Sequence, residues 1–417
     1  MKTKICFAIF ICLFLLTSAS ASEVMQLTDW TETVVFPYWS FDGEYIVYVS
    51  ITPYDTEFDM QLWIMDADGS NKTQFLNETG VPLFISSNPL SPNGNLLLYI
   101  SNATGNHELW VMDTENMDRR QLTEGAHLEN YLPGSENWKA SWSPDGSQVI
   151  YVSAVTKNKN LWKIVETPGG KKLLMFDLLN ASQDSNIWVI DTDGTNNRRL
   201  TDDGRQNKEP EWHPVGKMFA FSSNTTGDGG IWLASTDSSD KKQIAEGPVH
   251  SISWSPDGAK ISYVKIDREN LSSSIWVMDA DGNNDTLVVN NPGYFKYHSY
   301  PEWSPDSTKI VYVEDNRDNS ISEIYIVNID GTGQTKIGNG MVPKWSPKGD
   351  RIVFVASKNE NAGISVIILD EKWRSAPAET KASLPDIPQG NGTKSPGFTV
   401  SFVMMAFLIA FVFQKRK

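Results

Sequence analysis

The chain has 417 residues, 40% of them hydrophobic and 11% aromatic, with 51 acidic against 36 basic side chains. This composition excludes a disordered or collagen-like chain and supplies ample apolar material for a core. The net charge of −15 repels phosphates and anionic headgroups, so nucleic-acid binding is set aside.

The first element in chain order is an apolar run, Ile5 to Leu16, which follows Lys2 and Lys4 and precedes Ala19-Ser20-Ala21. A charged start, a short apolar stretch and small residues at the cut predict a secretory signal peptide over residues 1–21, cleaved after Ala21. An uncleaved anchor is the weaker alternative, because the run falls short of the ~20 residues that a span needs. Both cysteines, Cys6 and Cys12, lie in this run, so the remainder offers no disulfide, thiol nucleophile or cysteine-ligated metal.

The next 350 or so residues repeat one phrase roughly every 40–50 positions, the period of a four-stranded propeller blade. It reads W-S-F-D-G at Trp39, L-S-P-N-G at Leu90, W-S-P-D-G at Trp142, W-H-P-V-G at Trp212, W-S-P-D-G at Trp254, W-S-P-D-S at Trp303 and W-S-P-K-G at Trp345. A β-branched and aromatic run follows each anchor, for example Tyr45-Ile-Val-Tyr-Val-Ser50. Then comes a second phrase such as L-W-I-M-D-A-D-G from Leu62 or I-W-V-M-D-A-D-G from Ile275, often closed by Q-L-T or R-L-T. In S-P-D-G, proline presets φ near −65°, aspartate caps the backbone locally and glycine takes the φ > 0 position. D-A-D-G and D-T-D-G turn the next hairpin in the same way. Each unit is therefore four short strands. Six tryptophans of the anchors and six of the second phrase, Trp162 among them, are expected to pack between units.

The anchors are 51, 52, 70, 42, 49 and 42 residues apart. The 70-residue step holds two second phrases, at Leu161-Trp162 and Ile187-Trp188. It is read as an inserted hairpin in the third unit, with a shortened eighth blade as the alternative. Val24-Met-Gln-Leu-Thr28 matches a fourth strand with no first three before it, while Ile364 to Leu369 is a third strand with no fourth after it. Pairing the two closes a ring and removes both open edges. The expected fold is all-β: a propeller of seven four-stranded blades over residues 22–372, with eight or six as alternatives, the N-terminal strand completing the last blade.

W-S-P-D-G, a strand ending Y-V-S, then L-W-V-M-D and Q-L-T resemble the TolB-type propeller repeat over roughly residues 23–370, and are similar to the propellers of tricorn and dipeptidyl-peptidase relatives. TolB proteins usually have six blades behind an α/β domain. Seven anchors depart from that pattern, so a Tol-system role is not carried over, and fold likeness alone leaves function open.

Residues 373–396 are rich in Pro, Ser and Gly and read as a linker. Residues 397–417 pair an apolar stretch, Phe398 to Phe413, with the basic end Gln414-Lys-Arg-Lys417. At 1.5 Å per residue the stretch is about 24 Å long as a helix, marginal against a hydrocarbon core of about 30 Å. The order Pro396-Gly397-Phe398, short helix, basic cluster resembles the PGF-CTERM sorting tail of archaeal surface proteins, with a plain membrane anchor as the alternative. Either implies a secreted chain held at the outer face of the cell membrane. Eight N-x-[ST] sequons, at Asn71, Asn77, Asn102, Asn180, Asn224, Asn270, Asn284 and Asn391, fit an exported glycoprotein.

Signatures of catalysis are missing: there is no G-x-S-x-G, H-E-x-x-H, Walker loop or Rossmann fingerprint. His107, His127, His213, His250 and His298 are scattered, and His213 takes the serine position of an anchor turn. D-A-D-G at Asp66 and Asp279 looks like the start of a calcium loop but lacks the later glutamate, so calcium is unsupported and no cofactor is expected. What remains is the funnel. Residues just before the anchor tryptophan lie nearest the axis: Tyr38, Ser141, Glu211, Ser253, Glu302 and Lys344, with Lys139 and Glu209 two positions earlier. From these, Tyr38, Lys139, Glu209, Glu211, Glu302 and Lys344 are taken as candidate binding residues and no catalytic or metal residue is assigned. The loops 124–136 and 290–299, with Tyr294, Phe295, Tyr297 and nearby Tyr300, offer an aromatic recognition surface.

The leading expectation is a non-enzymatic binding or scaffold propeller for a protein, peptide or glycan. The alternatives are an extracellular hydrolase or lyase with its site in the funnel, and a structural component of the envelope.

Overall fold

The computed structural model describes residues 23–375 apart from 31–32, 55–56, 77–87, 102, 105–107, 125–139, 155–161, 167–171, 177–184, 204, 226, 228, 238–239, 268, 270–271, 291–295, 317–320 and 359–360. Seven antiparallel sheets follow one another along the chain. Blade 1 is Thr33–Trp39, Tyr45–Tyr54, Glu57–Asp66 and Thr73–Leu76. In blade 2 the first strand is reduced to the bridge Leu90↔Leu97, beside Leu96–Ser101, Glu108–Asp113 and Arg119–Gln121. Blade 3 is Ala140–Trp142, Gln148–Ala154, Ser185–Asp191 and Arg198–Arg199. Blades 4, 5 and 6 begin with the first strands Asn207–Trp212, Val249–Trp254 and Lys296–Trp303, each hydrogen-bonded to three more in chain order.

Blade 7 is completed from the other end of the chain. Its first three strands are Met341–Trp345, Arg351–Lys358 and Asn361–Ile368, and its outer strand is Glu23–Gln26, paired Glu23↔Ile368 to Gln26↔Ser365. The expected closure therefore holds, and the ring has seven blades. The long step is an insertion: Trp162–Glu166 and Lys172–Phe176 pair only with each other, between the second and third strands of blade 3. Trp162 thus belongs to the hairpin and not to a third strand.

Ring packing follows from the alternation of each strand. Apolar clusters join blades 1, 2 and 3, then 3 and 4, 4 and 5, 5 and 6, 6 and 7, and finally 7 and 1, where Val353, Ile364 and Val366 meet Leu27, Trp39 and Ile46. The six anchor tryptophans are buried, and four of them donate to the preceding blade. Indole Nε1 of Trp142 reaches Pro89 O at 3.1 Å, Trp254 reaches Glu211 O at 3.1 Å, Trp303 reaches Ser253 O at 3.2 Å, and Trp39 reaches Lys344 O of blade 7 at 3.2 Å. The repeated motif therefore carries both apolar burial and a directional bond across every one of these seams.

Its turns are stitched by the same serine. Ser143 Oγ donates to Asp145 Oδ1 at 2.6 Å and accepts from Gln148 N at 2.9 Å, and Ser255 with Asp257 and Lys260 does likewise. In blade 4 His213 replaces serine. It is fully buried, its Nδ1 accepts from Val215 N at 3.1 Å, its Nε2–H donates to Gly258 O at 3.1 Å, and its ring meets Trp254 edge-on. His213 has the turn role expected of it, and adds a bond to the next blade. A side chain at Gly258, where φ is +78°, would collide with this imidazole at 2.8 Å.

Two expectations drawn from the tail are corrected. Among the described residues no helix is long and apolar enough to cross a membrane. The transmembrane helix, and the location anchored at the outer face of the cell membrane that depended on it, are therefore withdrawn. Residues 1–21 and 397–417, including Ala21, Pro396, Gly397 and Phe398, lie outside the described residues.

Candidate functional site

The first strands surround the axis, and their last residue before tryptophan forms one layer of side chains. Three of the expected residues meet there. Lys344 Nζ of blade 7 bonds Glu302 Oε2 of blade 6 at 2.7 Å and lies 5.5 Å from the ring centroid of Tyr38 of blade 1. Burial alone would lower the lysine's pKa, but Glu302, Tyr38 and Glu211 together outweigh it and raise it. Glu211 of blade 4 thus adds its field to this layer. Four blades contribute, and the layer carries two carboxylates against one ammonium.

The first strands do not run straight to this layer. In blades 1, 4, 5, 6 and 7 the register slips between the third residue before the layer and the layer itself, so that two residues oppose one on the neighbouring strand. At this bulge Phe36, Glu209, Ser251 and Val342 adopt φ of 54°, 53°, 54° and 53°. No glycine marks the positions. Each of these residues takes the left-handed conformation that a bulge allows at a local cost.

The bulge changes which side chains line the channel. Simple alternation back from Trp212 puts Glu211 and Glu209 on one side. In the structure Glu211 pairs with Ala220 and Lys208 with Ser222, so Lys208 shares the side of Glu211. Glu209 is turned into the seam instead: it is fully buried, and its Oε2 accepts from Ile252 N of blade 5 at 3.3 Å. It serves as a cap for the neighbouring bulge. Lys208 and, at the same register in blade 5, His250 form a second layer that alternation from the anchors does not reveal. His250 Nδ1 lies 2.8 Å from Ser251 Oγ. Burial depresses the Lys208 pKa, with the nearby Glu209 charge acting the other way without prevailing.

Lys139, Tyr294 and Phe295 lie outside the described residues, as do the side chains of Tyr297, His298 and Tyr300 and most of the loop 124–136. Of the sequon asparagines, Asn71 and Asn284 are exposed in turns where their Nδ2 groups donate to Asp66 and Asp279 at 2.7 and 2.6 Å. Asn224 is half-buried and accepts from Gln206 N. Asn77, Asn102, Asn180, Asn270 and Asn391 are outside the described residues. The D-A-D-G aspartates Asp68 and Asp281 bond their own turns, Asp68 to Ser70 and Asp281 to Asn283. Hairpin chemistry therefore accounts for them.

Fold and channel together define a seven-bladed β-propeller. The TolB beta propeller domain family matches residues 259–379. An uncharacterized protein of Agrobacterium fabrum is 23% identical over 259 residues, 60% of this chain and 73% of that protein. The Tol-Pal system protein TolB of Francisella tularensis is 25% identical over 256 residues, 56% of each chain, so the match spans little more than half of that TolB. Among solved structures, an oligogalacturonate lyase of Vibrio parahaemolyticus superposes with a TM-score of 0.63 at 14% identity, covering 86% of this chain and 96% of the lyase. An oligogalacturonate lyase in complex with manganese fits with the same score over 85% and 95%. At such identity these likenesses establish the fold. The comparisons give no support to the sorting-tail resemblance of residues 397–417. Among the described residues no three His, Cys, Asp or Glu side chains are grouped to hold a metal ion.

Proposed function

We propose that the ring takes a polar ligand into its axial channel and acts on it as a hydrolase or lyase. The observation that carries this reading is the layer in which Lys344, Glu302, Glu211 and Tyr38 converge from four blades. A packed core has no use for two carboxylates and an ammonium on its axis. Their desolvation is costly unless each has a partner, and a polar ligand that enters the channel can join the bonds that the ring supplies. The full-length fit to a lyase of nearly the same extent supports catalysis by a ring alone, without the separate catalytic domain that many propellers accompany. In this reading Glu211 and Glu302 exchange protons with the ligand and Lys344 fixes one carboxylate and neutralises charge that develops on the ligand. The test is turnover on oligogalacturonate, other uronate oligosaccharides and a peptide panel. The proposal expects product from one of these and its loss in Glu211→Ala and Glu302→Ala, while absence of turnover on every substrate would reject it.

A second reading, a non-enzymatic module that binds a protein, draws on the sequence match to TolB. It expects no turnover and a partner whose binding survives both substitutions, because the docking surface then lies on the loops and not in the channel.

A further inference from the structure

On the face that carries the S-P-D-G turns, consecutive blades meet through a contact that recurs around the ring. A Cβ built on Gly43 would meet Pro347 of the preceding turn at 3.4 Å, one on Gly146 would meet Pro92 at 3.5 Å, and one on Gly216 would meet Pro144 at 3.8 Å. Between blades 1 and 2 that contact is missing among the described residues. The proline position of the blade 1 turn holds Phe41, and a Cβ on Gly94 of blade 2 would meet nothing within 4 Å. Phe41 is instead 63% exposed. The blade 1 turn is tied the other way: Gly43 packs on Pro347, and Lys348 Nζ of blade 7 donates to Glu44 Oε1 at 2.5 Å.

Two more apolar side chains are exposed at the same seam. In the second strand of blade 1, Val47 and Val49 pack toward blade 2 and Ile46 and Tyr48 toward blade 7. Alternation therefore puts Tyr45 on the blade 2 side, where it is 45% exposed. Further out, the turn after the third strand sets a glycine against the outer edge of the blade before it, as Gly69 against Leu27 and Gly194 against Gln121. The corresponding turn of blade 2 has Met117 in the left-handed conformation, φ 64°, and 41% exposed. Three of the six large apolar side chains exposed among the described residues thus share one seam of the seven. Beside them Asp42, Asp66 and Asp68 bond neutral groups of their own turns, Ser40, Asn71 and Ser70, and so keep their charge. The nearby bases Lys72, Arg119 and Arg120 stand at the outer strands, which leaves the half around Phe41 and Tyr45 acidic. An exposed aromatic strip supplies affinity, and carboxylates along it select the sign of what docks there. We infer that this seam docks a peptide segment of a partner protein in which a large apolar side chain stands between lysines or arginines. The surface lies outside the axial layer of Lys344 and Glu302, so the inference stands apart from any activity of the channel.

Fluorescence anisotropy of a labelled peptide K-R-L-F-K-R titrated with the full chain tests it, beside the peptides K-R-G-G-K-R and E-E-L-F-E-E. The first is expected to bind, and each of the other two to bind at least tenfold more weakly. Phe41→Pro installs the residue that the other six turns carry. The fold should therefore persist while affinity for the first peptide falls at least tenfold. Val215→Thr, which removes the exposed apolar side chain of the blade 4 turn, should leave that affinity unchanged. Should Phe41→Pro lose its cooperative thermal transition, Tyr45→Ser takes its place with the same expected loss. Equal binding of the three peptides overturns the inference, as do failure of K-R-L-F-K-R to bind and an affinity untouched by Phe41→Pro. A wild-type chain that sediments as a dimer, with Phe41→Pro a monomer, also overturns it, because the seam then joins two copies.

Discussion

Thr28 offers a sharp test of how the ring closes. Its Oγ1 accepts the buried amide of Ile364 at 2.9 Å, across 336 residues of sequence, while Leu27 N donates to Ile364 O at 2.9 Å. The same threonine recurs in blade 3, where Thr201 Oγ1 accepts from Ile187 N at 2.9 Å. Valine matches threonine in size but removes the acceptor, so Thr28→Val leaves the Ile364 amide buried without that bond. An unsatisfied buried donor costs about 1–3 kcal/mol. Measured by urea unfolding with tryptophan fluorescence, Thr28→Val should lower the unfolding free energy by that amount, as a lower midpoint with the slope unchanged. Thr201→Val should do about the same. The double variant should be additive within about 0.5 kcal/mol, since the two bonds share no partner. Hydrogen exchange separates them: Thr28→Val should accelerate exchange in Asn361–Ile368 and Thr201→Val in Ser185–Asp191. If Thr28→Val leaves the midpoint untouched while Thr201→Val lowers it, the N-terminal strand does not bear the load assigned to it.

Other consequences are more compact. Among the described residues the Tyr99 hydroxyl is buried without a hydrogen-bond partner, whereas that of Tyr263 donates to Asp285 at 2.8 Å; Tyr99→Phe should therefore be neutral or stabilising and Tyr263→Phe destabilising by about 1 kcal/mol in the same assay. Asp145 is held below its ordinary value of 3.8, first by the Ser143 hydroxyl and then by Ser147 N, so its contribution is complete above 3.8 and disappears as pH falls through the depressed value. Ser143→Ala should accordingly cost stability at pH 7 and progressively less in acid below pH 3.8, as read from urea midpoints. Lys344 has a raised pKa, so its share of stability is present below the ordinary lysine value and lost only at strongly alkaline pH; Lys344→Met should make the fall in thermal midpoint expected above about pH 10.5 shallower.

Much of the ring was legible because its punctuation is chemical. W-S-P-D-G fixes where a first strand stops, and the unmatched ends Val24–Thr28 and Ile364–Leu369 imply the closure that the pairing of Glu23–Gln26 with Ser365–Ile368 completes. The insertion was legible as an excess of residues between anchors, but Trp162 was not, since a tryptophan in an alternating run looks the same in a blade or a stray hairpin. The channel was half legible. Tyr38, Glu211, Glu302 and Lys344 sit one residue from an anchor and inherit its register. Beyond them the bulges at Phe36, Glu209, Ser251 and Val342 break the alternation without a glycine to announce it. That is why Glu209 was expected on the axis but is buried in a seam, and why Lys208 and His250 escaped notice. The tail illustrates a different difficulty, because its apolar length was marginal for a membrane from the outset and hydropathy alone did not decide it.

Every axial assignment depends on Glu23–Gln26 completing blade 7, and a disulfide between Gln26→Cys and Ser365→Cys measures that directly. These positions face each other across the seam, and replacing Cys6 and Cys12 by serine leaves no other thiol. The account predicts rapid disulfide formation in the folded protein under mild oxidant, and a higher thermal midpoint that falls back on reduction. Thiols that remain free in the native state and couple only after denaturation would contradict it.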